Sequence, residues 1–109
     1  MNWYDGGKKM VKHMILWKLK DTLSDEEKEM VKVQIKSGLE GLVGVIPGLV
    51  SATVYHEGIS SSTADLMLDS AFESEAALRV YKDHPAHLAV ADGVVRPNTQ
   101  IRLCLDYMY

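Results

Sequence analysis

The chain predicts an α+β fold of order β-α-β-β-α-β, with four antiparallel strands in one sheet. Three observations carry this expectation. An alternating run covers Val11 to Leu19, two amphipathic helical stretches each begin at a serine, and a second alternating run covers Asn98 to Tyr107.

In the first run Val11, His13, Ile15, Trp17 and Leu19 share one face, while Lys12, Met14, Leu16 and Lys18 share the other. Both faces hold apolar residues, so the strand is expected to be covered on both sides over part of its length. Ser24-Asp25-Glu26-Glu27 is a capping-box pattern: the serine hydroxyl accepts the N–H of residue 27, and Glu27 reaches back. The helix that follows sets Val31, Ile35, Leu39, Leu42 and Ile46 on one stripe. Gly38, Gly41 and Gly44 each weaken it by about 1 kcal/mol relative to alanine. They also permit close packing and let the last turn unwind before Pro47-Gly48.

Leu49 to Glu57 reads as a second strand and Asp65 to Phe72 as a third, joined by the flexible, serine-rich stretch Gly58 to Thr63. Ser74 caps a second helix, without a reciprocal glutamate because Ala77 stands there. That helix runs through Ala77, Val80, Tyr81, His84 and Leu88, with a break at Pro85 and Gly93 as its stop. In the last strand Thr99, Ile101, Leu103, Leu105 and Tyr107 oppose Gln100, Arg102, Cys104 and Asp106. Two strand-and-helix halves in this order form a ferredoxin-like split βαβ unit. Its helices cover one sheet face only. Apolar residues on both faces of the first and last strands call for a second sheet over the other, which predicts a homodimer with a barrel-like interior, a dimeric α+β barrel.

At 109 residues the chain is expected to be one domain over 11–109, preceded by a polar, poorly ordered leader over 1–10 that Trp3 and Tyr4 could pin to a surface. Hydrophobic content of 47% and charged content of 25% are ordinary globular values, which excludes a disordered or fibrous chain. A net charge of −3 gives no basic face for nucleic acid, and Lys8, Lys9 and Lys12 read as a solvated terminus. No apolar run approaches the ~20 residues of a membrane span. The leader lacks the apolar core of a secretory signal. Cys104 is the only cysteine, which rules out an internal disulfide and fits a reducing, cytoplasmic compartment.

Candidate chemistry gathers in Tyr81-Lys82-Asp83-His84-Pro85-Ala86-His87. Proline cannot continue a helix but suits the first position of a new one, so His84 is a boundary residue and His87 falls in the restarted first turn. There the helix dipole favours a neutral imidazole, the form a general base needs. Tyr81 would lie about 120° from His87 on an unbroken helix, and the break can bring both to one pocket. Its phenol can donate to a developing enolate oxygen. The structural alternatives are a His87 satisfied by a backbone carbonyl, a Tyr81 with its ring in the core and hydroxyl at the rim, and a His13 hydrogen-bonded in the core. His84 reads as a cap, His56 as exposed, and Cys104 as a small core residue. Asp65 and Asp69 share one strand face, either as a polar patch or as part of an exposed or interface face. No His/Cys/Asp/Glu set has metal-ligand spacing, and His84-x-x-His87 is interrupted by the proline, so no metal ligand is assigned. No phosphate loop or serine or cysteine nucleophile constellation is present, and no cofactor is expected.

The opening strand Val11–Asp21, the Phe72-Glu73-Ser74 turn, the Tyr81-x-x-His84-Pro85-Ala86-His87 segment and the terminal Asp106-Tyr107 together resemble the stress-responsive A/B barrel (dimeric α+β barrel) family over about residues 10–107. The resemblance implies a homodimer with a cavity between sheet and helices that takes a small apolar or aromatic ligand. A distant likeness to plant olivetolic acid cyclase implies cofactor-free aldol cyclisation, with His87 as base, Tyr81 assisting and His13 lining the pocket. The sequence departs from that cyclase at Leu66, which replaces a pocket histidine. Some relatives hold a hard cation on main-chain carbonyls after the first helix, here around Leu42 to Pro47. Two other classes share these residues: a non-catalytic stress-associated or ligand-carrying protein, and a cofactor-free oxygenase of the same fold.

Overall fold

Alternating burial along β1 (Val11–Leu19) makes it the spine of the sheet, its odd-numbered side chains buried under helices. The computed structural model describes residues 7–109, so the expectation for Trp3 and Tyr4 lies outside the described residues. β2 (Leu49–Tyr55), β3 (Leu66–Phe72) and β4 (Thr99–Met108) complete an antiparallel sheet of order β2-β3-β1-β4. Ile15 sits opposite Leu68 of β3 and opposite Cys104 of β4, which fixes the register on both sides of the spine. This is the ferredoxin-like α+β fold.

α1 (Asp25–Glu40) starts on the expected capping box: Glu27 N–H donates to Ser24 Oγ at 3.1 Å, and Ser24 N–H donates to Glu27 Oε1 at 2.9 Å. The helix ends at Gly41, yet Leu42 and Ile46 stay buried because the following turns fold the same apolar stripe onto the sheet. A Cβ on Gly38 would stand 2.9 Å from Val90 Cγ1, so this glycine sets how closely α1 approaches the C-terminal helices. Gly48 has φ +88°, and a Cβ there would stand 2.6 Å from that of Ala77.

α2 (Glu75–Asp83) begins where Ser74 Oγ accepts Ala77 N–H, and α3 (Pro85–Val90) restarts the helix where His84 Nδ1 accepts Ala86 N–H at 3.0 Å. Gly93 is not the stop. The helical path widens into a π turn over Ala91–Val95 and continues as the short α4 (Arg96–Asn98). Ala91 and Val95 both face the core, and Asn98 O accepts Lys20 N–H.

Three local expectations are corrected. Asp65 precedes β3 and accepts Leu19 N–H at 2.8 Å, while Asp69 pairs with Lys12 Nζ at 2.7 Å, so the two make no common patch. Cys104 is exposed, on the edge strand β4. His56 is half-buried, and its Nδ1 is shielded without a partner.

Phe72, Ile35, Leu19 and Leu68 are the heart of the helix-side core, none more than 1% exposed. The opposite face has no such cover. Leu16, Leu103, Leu105 and Tyr107 lie there, with Leu105 64% exposed. Among the described residues no helix is long and apolar enough to cross a membrane.

Candidate active site between sheet and helices

Strand alternation turns His13 under the helices, where it is 3% exposed, and the apolar face of α2 does the same for Tyr81. The restart at Pro85 swings His87 back against that tyrosine. Their ring centroids lie 4.2 Å apart with the planes tilted by 34°. Helical spacing alone would have kept them on different faces. Tyr81 also meets His13 edge-on at 6.3 Å and Phe72 at 4.8 Å, so it stands between the two histidines.

All three side chains line one cavity of about 440 Å³. Small-molecule sites run roughly 300–1,000 Å³. Ile15, Trp17, Leu39 and Leu68 give it apolar walls, and Lys82, Asp83, Arg96 and Arg102 give it a charged side. The Trp17 indole N–H is buried without a hydrogen-bond partner. Leu66 packs opposite Trp17 in the core, and the cavity wall at β3 is Leu68.

The electrostatics favour two neutral imidazoles. His13 Nδ1–H donates to Asp106 Oδ1 at 2.5 Å. Burial lowers the His13 pKa, and the carboxylate only partly opposes that. Partial burial works against ionising Asp106, but the hydrogen bond and charge at His13, with Lys82 nearby, hold its carboxyl below the usual range. His87 Nδ1–H donates to Lys82 O at 3.1 Å, and burial again lowers the imidazole, aided by the charges of Arg96 and His13. Burial is therefore the main cause of the neutral His87, ahead of any helix-terminal effect in the six-residue α3. In each ring the bond at Nδ1 fixes the tautomer and leaves the Nε2 lone pair free. Burial pushes the Tyr81 phenol up to about 12, so it is a proton donor at neutral pH.

His84 does not share this site, since its Nδ1 is used as the cap on α3. Asp106 and Cys104 were not singled out by the sequence as site residues. Cys104 Sγ lies 3.7 Å from His13 Nδ1 and 3.4 Å from Asp106 Oδ1. The alternation of β4 groups Arg102, Cys104 and Asp106, but only strand pairing shows that this group turns toward His13. In the turn from Leu42 to Pro47, the Leu42 and Ile46 carbonyls accept backbone N–H groups. No side chain there carries an oxygen, so a hard cation in that turn would have main-chain carbonyls alone as protein ligands.

Known structures share the fold. A dimeric ferredoxin-like protein from Bacteroides fragilis is 30% identical, with a TM-score of 0.85 over 92% of this chain and 96% of that one. A Dabb-family protein from Mesorhizobium loti is 22% identical, with a TM-score of 0.70 over 91% of this chain and 95% of that one. A hydroxynitrile lyase from Passiflora edulis is 18% identical, with a TM-score of 0.75 over 93% and 94%. No curated protein matches the chain. Residues 11–109 match the Stress Responsive A/B Barrel Domain, and the chain belongs to that family.

Proposed function

We propose that this chain is a cytoplasmic homodimer that binds a small, mainly apolar or aromatic carbonyl compound and moves a proton next to its carbonyl, as a polyketide cyclase or isomerase does. The observation that carries this reading is the meeting of His13, Tyr81 and His87 on one cavity. His87 Nε2 takes the proton from the carbon beside the carbonyl. The electron pair passes to the carbonyl oxygen, and the Tyr81 hydroxyl donates to the enolate that forms. A positioned general base of this kind contributes roughly 10²–10⁴-fold. His13, fixed by Asp106, orients the ligand. The reaction draws on no cofactor.

The homodimer reading rests on the exposed apolar sheet face and on the dimeric state of the Bacteroides relative. Cytoplasmic residence rests on the lone cysteine.

The test needs no known product. Aryl and alkyl ketones that bind the protein, detected by chemical-shift changes at cavity residues, are incubated with it in D2O while α-proton exchange is followed by NMR. His87→Ala should lose exchange by 10²-fold or more with binding and fold retained. Full exchange in that variant would sink the base assignment. Binding without exchange in the wild type would favour a ligand carrier, whose His87–Lys82 contact serves stability alone. Oxygen uptake during turnover would point to an oxygenase instead.

A further inference from the structure

Beside the cavity, three side chains of different metal-ligand chemistry meet on one wall. His13 Nδ1, Cys104 Sγ and Asp106 Oδ1 lie within 4.8 Å of one another. They come from the centre strand and the edge strand, 91 and 93 residues apart in sequence for the two pairs with His13, so no spacing motif announces them. We propose that His13, Cys104 and Asp106 bind a divalent ion of the zinc class as its three protein ligands, on the side of the His13 ring away from Nε2.

The geometry is close to what such an ion needs. Zinc bonds of about 2.0–2.1 Å to nitrogen, 2.0–2.2 Å to oxygen and 2.3 Å to sulfur, at tetrahedral angles, put neighbouring ligand atoms roughly 3.3–3.6 Å apart. The observed N···S and S···O separations are 3.7 and 3.4 Å. Only the N···O pair, at 2.5 Å, must open. A spread of about 0.8 Å there is within reach of a small rotation of Asp106, which lies on the uncovered edge strand. A nitrogen, a thiolate and a carboxylate together suit zinc, whereas calcium and magnesium take oxygen ligands.

Charge and protons balance. The Cys104 thiolate and the Asp106 carboxylate offset the two positive charges of the ion. The proton on His13 Nδ1 moves to Nε2, and the Cys104 thiol releases its proton to solvent, so one proton leaves per ion bound. Lys82 Nζ stands 3.8 Å from Asp106 Oδ2, the other carboxylate oxygen, and leaves Oδ1 to the metal. Filling the site also turns His13 Nε2 from an acceptor into a donor toward the cavity. An ion there would change what the pocket binds.

Cobalt(II) reports directly on such a site. Titrated into the reduced, metal-free dimer, it should give a thiolate-to-cobalt charge-transfer band in the near ultraviolet and intense visible bands of four-coordinate cobalt, saturating at one ion per protomer. Zinc should displace the cobalt and raise the melting temperature. Cys104→Ser should lose the charge-transfer band. Asp106→Asn should weaken zinc at least tenfold. Both substitutions fall on exposed side chains, and circular dichroism verifies that they fold. No thiolate band in the wild type would overturn the proposal, as would unchanged zinc affinity in Asp106→Asn. Ketone binding to the metal-free protein stands apart from either result, so failure here leaves the proton-transfer reading to its own test.

Discussion

The two faces of this sheet are built from the same strands and meet opposite fates. On the helix side the chain supplies its own cover, and the space it leaves is a cavity bordered by His13, Tyr81 and His87. On the other side Leu103 and Leu105 remain 62% and 64% exposed. The first face shows that a core can be finished locally and still keep polar groups on an unfilled cavity. The second shows apolar area in the folded protomer with no cover from its own chain. A cavity forms where packing stops short of filling the space, and association is expected where it never begins.

The largest effect should come from the closed face. Phe72→Ala removes a fully buried ring that touches both His13 and Tyr81. It should cost about 3–5 kcal/mol in urea unfolding, while Leu103→Ala, engineered into a monomeric background, should stay near wild type. Equal losses would mean that the two faces are not energetically distinct.

A charge on the open face is next. Leu105→Asp should weaken the dimer by about 100-fold, from roughly 1–3 kcal/mol for a poorly compensated polar group. The protomer should keep its far-ultraviolet circular dichroism. Sedimentation that still reports a tight dimer would move the interface elsewhere.

Titration sharpens the comparison further. The folded pKa of His87 is lowered, so the unfolded chain binds more protons as pH drops below about 6.5. Stability is therefore complete above the unfolded pKa and declines as pH falls through it toward the folded value. One such proton gives a slope of at most about 1.4 kcal/mol per pH unit. His87→Gln should flatten the acid side of a stability–pH curve while leaving the value at pH 8 nearly unchanged. A parallel curve would mean that this imidazole is as easily protonated folded as unfolded.

The smallest effect belongs to a helix end far from both faces' centres. Ser24→Ala deletes the side-chain acceptor for Glu27 N–H and should cost about 1 kcal/mol, with cavity ligands bound as before.

What could be read in advance follows from the range of the forces involved. The capping box at Ser24, the proline restart, the strand alternation and the stripe from Val31 to Ile46 are local regularities, and each appears in the structure within a residue or two except where the helix ends. Gly93 misled because the burial of Ala91 and Val95 outweighs a glycine's preference for a helix stop. Cys104 misled because burial at an edge strand depends on what lies above it, which alternation does not encode.

The chain's own order of residues therefore determined the element sequence, the fold and the segment in which Tyr81 and His87 lie. Only the tertiary structure decided that these two rings stack, that Asp106 rather than a neighbour in sequence holds His13, and that Cys104 joins them. The physical reason is separation. Helix and strand periodicities act over a few residues, whereas the His13–Asp106 hydrogen bond joins groups 93 residues apart and exists only once β4 pairs with β1.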